Sequence, residues 1–333
     1  MNHSPKKFDV IAIGDLILNF SYAGKNSDGI ALYERQPAGA TANILTQVAR
    51  LGGKAALIST LGNDEHSRYL YAYEENCGID MTNVHFGNLP TRIMFVYYTE
   101  DNDRYFSDFM MKKNELDTAI DNVNYEMIES SRYLNVKCMP YQADQPIFHT
   151  MKRILQTVEE ANIPIAVDAQ WRGAEMTKEE KRHVRNMVAI SKVVKLTDVE
   201  MNYYFEESDP LRGTEKILNT GDTQLVALTL DSRGCLLRSK NACVYEPGFK
   251  VAPKDTTGAG DSYMGSLLYS LSRLEKEPSM MTAHELSATA EFCNACAAYS
   301  TQFRGSLAHM CTLEQADRMI RDIPKYEPWN YFR

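Results

Sequence analysis

Asp255-Thr-Thr-Gly-Ala-Gly-Asp261 packs two carboxylates, two hydroxyls and two glycines into seven residues, with Met264, Leu267, Leu268 and Leu271 following at helical spacing. A glycine-rich turn that feeds a helix presents unpaired backbone N–H groups at the positive end of the helix dipole, and such a terminus binds phosphate. Glycine also lets the backbone approach an anion closely. Asp261 stands where the turn becomes helix. A carboxylate there is favoured in its charged form and can take a proton from an incoming hydroxyl. The N–H groups of the turn would meanwhile neutralise charge on a travelling phosphoryl group, which is most of what phosphoryl transfer demands. Anion cradle and base thus arise from one heptapeptide. The plainer alternative is a loop whose Asp261 caps its helix.

The rest of the chain supplies the elements that must hold this segment. Phe8-Asp-Val-Ile-Ala-Ile13 reads as a buried strand stopped by Gly14. A helix over Ala42–Leu51 is predicted, with Thr41 as its cap and Gly52-Gly53 as its stop. A strand at Ala55–Ser59 and a helix at Glu65–Asn76 follow. Arg92–Thr99 and Arg104–Phe109, joined by Glu100-Asp-Asn-Asp103, carry a hairpin signature. Strand and helix then alternate through Leu230, and the last third is mostly helical, over Ser262–Ser272, Thr282–Ser300 and Leu313–Ile320. Such alternation implies a parallel sheet with helices on both faces. No internal repeat or low-complexity linker divides the chain, so one domain spanning 1–333 is expected.

Composition narrows the function classes. The chain has 333 residues with ordinary apolar and charged fractions, which excludes disordered and fibrous classes. A net charge of −8 argues against a general nucleic-acid binder. The first residues hold no secretory core and no apolar run approaches a membrane span, so a cytoplasmic protein without a membrane partner is expected. Seven scattered cysteines fit reduced thiols. Cys293 and Cys296 form a CxxC without a second pair and read as buried small side chains. The histidines show no metal-ligand spacing.

The heptapeptide resembles the DTxGAGD signature of the ribokinase-like (pfkB-type) carbohydrate kinases. Pro37-Ala-Gly-Ala-Thr-Ala-Asn43 resembles that family's PGGAxAN sugar-binding turn, and Leu61-Gly-Asn-Asp64 its next G-x-D turn. The likeness runs from about Phe8 to Arg321, and its texture is closest to fructokinase-like members. It implies a ribokinase-like three-layer α/β/α sandwich with a mostly parallel central sheet. A small β-sheet lid would draw on residues near 15–36 and 88–112. It further implies an ATP- and Mg2+-dependent kinase that phosphorylates a hydroxymethyl of a small sugar, fructose or a similar ketose first. The chain contains no GxxxxGK[ST] motif, so ATP would be held by this family's route.

Carried over by the resemblance, Asp261 is the base, and Gly258, Ala259 and Gly260 form the anion hole. Asp15, Asn19, Gly39 and Asn43 are expected at the sugar, with Arg172 of Asp168-Ala-Gln-Trp-Arg172 on an anionic group. Lys195 and Glu200 match K-x-N-x-x-E, and Glu200 would organise magnesium through water. Thr229 and Gly234 match a nucleotide-side turn, Asn294 an adenine-side position, and Asp255 a potassium or other monovalent-cation site. Relatives imply a homodimer through the lid. The chain departs from the family pattern at Asn19 (usually Asp), Ala38 (Gly), Thr197 (Asn) and Asp231 (Gly). These departures keep open a ketogluconate, ribose or nucleoside kinase, or a sugar-binding regulator on the same fold.

Overall fold

A computed structural model describes residues 6–98, 104–108, 113–171, 173 and 175–332. Its strands are β1 (Phe8–Ile13), β2 (Ile17–Lys25), β3 (Ala31–Ala38), β4 (Ala55–Leu61), β5 (Ile79–Phe86), β6 (Ile93–Tyr98) and β7 (Arg104–Asp108). The second half adds β8 (Ser131–Lys137), β9 (Ile165–Asp168), β10 (Val193–Thr197), β11 (Leu225–Thr229), β12 (Cys235–Ser239) and β13 (Cys243–Glu246). The helices are α1 (Ala40–Arg50), α2 (Glu65–Asn76), α3 (Tyr125–Glu129), α4 (Pro146–Glu160) and α5 (Lys178–Ala189). After them come α6 (Asp198–Phe205), α7 (Pro210–Leu218), α8 (Ala259–Ser272), α9 (Ala283–Ser300) and α10 (Leu313–Asp322).

Nine strands form the main sheet in the order β13-β12-β11-β10-β9-β8-β1-β4-β5. From β11 to β5 all neighbours are parallel, as crossover helices require. At the edge, β12 runs antiparallel to β11 and β13 antiparallel to β12, because only a few residues join each strand to the next and a parallel return needs a crossover. The strand pattern in the sequence runs only through Leu230, so this edge was not expected.

Period-two alternation sends the two halves of each strand to different cores. Ile11, Ile13, Leu134 and Val136 pack with Ile154 of α4, Val184 of α5 and Tyr204 of α6. Val10, Ala12 and Tyr133 face the other way, onto Leu45 of α1, Leu267 of α8 and Cys293 of α9. Cys293 and Cys296 are both fully buried and unpaired, as a packing role requires.

A second, four-stranded sheet, β3-β2-β6-β7, lies apart from the main one. β6 and β7 pair antiparallel, as their hairpin pattern predicts, although the joining residues 99–103 lie outside the described residues. One boundary differs from expectation. Helix α1 begins at Ala40, and its cap is Gly39 at φ 126°, not Thr41. A Cβ on Gly39 would come within 2.6 Å of the Asp15 carbonyl oxygen, so glycine is required there by both conformation and space.

Between α1 and α2, Glu74 is buried and accepts a hydrogen bond from Thr46 Oγ1 at 2.9 Å. Burial pushes its carboxyl up to about 8, against the lowering pull of Thr46. Its folded value lies above the unfolded 4.5, so folding favours the proton. Stability contributed by this group is therefore complete at acid pH and declines as pH rises from about 4.5 to about 8. Glu74→Gln should flatten that decline: its melting temperature relative to wild type should be higher at about pH 8.5 than at about pH 5.5. An identical difference at both values would show that Glu74 does not titrate with folding.

Candidate active site

The C-terminal ends of the parallel strands carry polar residues of a cavity of about 470 Å3. Ligands in open α/β sheets bind at that edge. Strand parity decides which face they use. Lys137 ends β8, Asp168 ends β9 and Lys195 lies in the middle of β10, in mutual register, Lys137 beside Asp168 and Asp168 beside Lys195. They alternate with Val136, Val167 and Leu196, which enter the α4–α6 core, so all three point to the side of α1 and α8.

Helix α8 opens on that side. Gly258 is its cap at φ 80°, a left-handed conformation that a side chain would strain, and a Cβ there would meet Ser306 Cβ at 2.5 Å. Ala259 and Gly260 form the first turn, and a Cβ on Gly260 would stand 2.7 Å from Lys195 Nζ. The Gly-Ala-Gly turn therefore brings helix N–H groups and a buried ammonium to one spot, a strongly anion-attracting combination.

Asp261 is buried at the next position and lines the cavity. Its Oδ2 accepts from Asn43 Nδ2 at 2.8 Å and its Oδ1 accepts from Gln170 Nε2 at 2.7 Å. Asn43 is itself aimed by Ser306 Oγ, which donates to its Oδ1 at 3.0 Å. The carboxylate is thus held by α1 on one side and by the loop after β9 on the other. Asn43 does not cap α1; that place belongs to Gly39.

Lys195 Nζ donates to both oxygens of Asp168, at 3.0 and 3.1 Å, inside the protein. Burial raises the Asp168 carboxyl to about 7, with Glu200 and Asp261 adding to the rise and Lys195 opposing it. Burial alone would depress Lys195, but Asp168 and Glu200 outweigh it and hold the ammonium above its usual range. Glu200 accepts from the backbone N–H of Trp171 at 2.9 Å and of Thr197 at 2.7 Å. Thr197 caps α6 with its own Oγ1, so Thr in place of the family Asn serves as a helix cap.

At the opposite end of the cavity, Asp15 pairs with Lys137 and accepts from Thr41 N at 3.3 Å. Asn19 of β2 lines the same wall, and its buried Oδ1 has no hydrogen-bond partner among the described residues. An unsatisfied buried acceptor costs about 1–3 kcal/mol, and a donor hydroxyl would remove that cost. Ala38 and Gly39 also line the cavity.

Other expected residues lie elsewhere. Arg172 is outside the described residues. Thr229, Gly234 and Asn294 do not line the cavity. They gather at the neighbouring ends of β10 to β13. Thr229 Oγ1 donates to Leu196 O at 3.4 Å, and Asn294 Nδ2 donates to Glu246 O at 3.0 Å, the same carbonyl that a Cβ on Gly234 would strike. Asp231 is exposed at φ 53°, a conformation that Asp tolerates better than most residues, which accounts for an acid where glycine is usual. Asp255 accepts from Thr257 N at 2.8 Å and from Gly305 N at 3.1 Å, tying the turn to the loop after α9.

Comparison with known proteins decides the family. The pfkB family carbohydrate kinase pattern matches residues 8–312. The chain belongs to that family. Fructokinase-1 of Zea mays is 27% identical over 317 residues, covering 93% of this chain and 97% of its own length. Fructokinase-2 of Solanum lycopersicum is 24% identical over 330 residues, covering 94% and 96%. Among solved structures, the Xylella fastidiosa fructokinase with bound ATP superposes with a TM-score of 0.82 at 18% identity, covering 94% of this chain and 98% of that one. The Vibrio cholerae fructokinase bound to fructose, ADP and calcium gives 0.78 at 22% identity, covering 93% and 98%. The fold is therefore the ribokinase-like sandwich with its small separate sheet, and the chain is a sugar kinase of the PfkB family. No helix among the described residues is long and apolar enough to cross a membrane.

Several cavity residues had no individual sign in the sequence. Gln170 lies inside the Asp168–Arg172 stretch, where its departure from the usual Asn was visible but its reach to Asp261 was not. Lys113, Glu115 and Lys137 carry no motif at all. The hydrogen bond from Asn43 to Asp261 yields a test. Asn43→Ala should lower kcat by about 10- to 100-fold, the worth of a hydrogen bond to a charged group, with the KM for ATP changed by less than about threefold. Steady-state kinetics of the variant would check it, and a kcat near wild type would show that Gln170 alone suffices.

Proposed function

We propose that this kinase transfers the γ-phosphoryl group of ATP to a hydroxymethyl of a small sugar, with a ketose of the fructose type as the favoured acceptor framework. The observation that carries the proposal is the Asp261 carboxylate, pinned between Asn43 and Gln170 at the mouth of the Gly258–Gly260 turn. The acceptor hydroxyl would donate to Asp261 and lose its proton there as its oxygen attacks phosphorus in line. The first-turn amides of α8 and the Lys195 ammonium would balance the charge that builds on the phosphoryl oxygens. Asp15, Asn43 and the unpartnered Oδ1 of Asn19 are suited to sugar hydroxyls. The fructokinase relatives support the ketose.

Magnesium, as the counter-ion of the ATP phosphates, supplies charge neutralisation between them. The donor set fits it. Glu200 lines the cavity beside Asp168, and a carboxylate that accepts one backbone N–H on each oxygen keeps lone pairs for metal-bound water. The adenosine would lie over Thr229, Gly234 and Asn294, beyond the cavity's Lys195 end. A monovalent cation beside Asp255 would stiffen the turn that Asp255 already ties to Gly305.

Asp261→Asn should lower turnover by about 10²–10⁴-fold with ATP affinity nearly kept. The check is coupled ADP release over a sugar panel, alongside ATP binding. Near-normal turnover in the variant would remove Asp261 as base. Silence of the wild type across the panel, with sugar still bound, would point instead to a regulator. For the lid, β3 is an edge strand among the described residues, with Ile30 just before it 63% and Leu32 within it 47% exposed, which supports pairing of two copies there. A light-scattering mass of one chain would exclude it.

A further inference from the structure

The segment from Pro324 to Phe332 lies beyond the family pattern, which ends at residue 312. It returns to the far edge of the main sheet. Lys250 N donates to Pro324 O at 2.8 Å, Tyr326 N donates to Gly248 O at 2.8 Å, and a bridge joins Phe249 to Lys325. Lys325 also pairs with Glu246 and Glu291. Residues 246–248, which the tail fastens in this way, back the Asp231–Gly234 turn. A Cβ on Gly234 would strike Glu246 O at 2.1 Å, and one on Gly248 would strike Ser232 O at 2.4 Å, so the two backbones touch with no room for a side chain.

The tail then reaches the turn itself. Tyr245 Oη stands between them: it donates to Arg233 O at 2.6 Å and accepts from Trp329 N at 3.2 Å. The Arg233 guanidinium lies over the Trp329 ring, 4.6 Å from its centroid. The same guanidinium donates to Asp198, the first residue of α6, at 2.6 Å, and its Nε donates to Leu230 O at 3.1 Å. Phe332 stacks on Tyr245 with ring centroids 4.3 Å apart. Tyr245, Trp329 and Phe332 pack on the α4–α6 core, whereas Asn294 of α9 holds Glu246 O from the other face. The turn is thus gripped on both faces of the sheet. It needs that grip. Asp231 at φ 53° and Gly234 at φ 100° are both left-handed, and a residue with a side chain persists there only where its surroundings fix it.

We propose that Trp329 is a positioning residue for ATP: through Arg233 and Tyr245 it fixes the Asp231–Gly234 turn in the shape that receives the nucleotide. This rests on the reading above that lays adenosine over Thr229, Gly234 and Asn294, and it adds the chain's last residues to that site. A guanidinium is attracted to the face of an indole, and more strongly as water is excluded from the pair. Both partners here are half-buried. The ring holds Arg233 without taking up any of its N–H donors, so Asp198 and Leu230 keep theirs.

Isothermal titration of the full chain with ATP and Mg2+ tests this without a sugar. Trp329→Ala and Tyr245→Phe should each raise the Kd for ATP about 3- to 10-fold, the worth of one cation–π contact or one hydrogen bond. Trp329→Phe, which keeps a ring beneath Arg233, should recover most of the loss. With any sugar the wild type turns over, the KM for ATP should rise in step while kcat and the KM for sugar stay within about twofold. A lowered melting temperature with an unchanged Kd for ATP would reduce the tail to a structural strap and overturn the inference. Equal rises in both KM values would do the same, since they report general loosening. A wild type that binds ATP but phosphorylates no sugar sinks the kinase reading alone, and the Kd comparison still decides this one. A wild type that binds no ATP removes both.

Discussion

The site depends on one buried carboxylate held between two amides. Asp261 lies out of water, where a carboxylate without partners would be costly, and Asn43 and Gln170 each donate one N–H to it. Those donors come from opposite sides, the first turn of α1 and the loop leaving β9. The arrangement therefore exists only while α1, α8 and the central sheet are packed together. Leu45, Met264 and Leu267 in the shared core do that packing. The constraint reaches into backbone detail. Gly39 must be glycine so that α1 can start against Asp15, and Gly258 so that α8 can start against Ser306.

Around this carboxylate the charges are graded along the cavity. At one end, Lys195 is buried and tied to Asp168, an ion pair whose desolvation is offset by two hydrogen bonds and by nearby Glu200. It stands against Gly260, so its charge is directed where helix N–H groups already point. At the other end, Lys137 is paired with Asp15. Asp261 sits between the anion-attracting floor and that ion pair. That is the geometry wanted by a donor phosphoryl on one side and an acceptor hydroxyl on the other.

The departures from family texture sort by what they touch. Thr197 keeps a capping role that Asn also performs, and Asp231 occupies a left-handed turn position outside the cavity, so neither alters the reacting centre. Asn19 and Ala38 do line the cavity. Replacing the usual acid by Asn19 removes a negative charge from that wall.

Much of the architecture was legible because it follows from local rules. The buried run Phe8–Ile13, the capped helix Glu65–Asn76 and the glycine turn before α8 each announce themselves through periodicity, caps and positive-φ residues. The antiparallel β12–β13 edge was not legible, since short apolar runs there lack a distinguishing period. The base and its anion-binding turn were contained in seven consecutive residues. What holds them was not: Gln170 is 91 residues from Asp261 and Asn43 is 218 away. Sequence determined the reacting group because a turn and its helix are contiguous in the chain. Only tertiary packing decided its partners, because strand order and register, set by non-local pairing, choose which side chains meet.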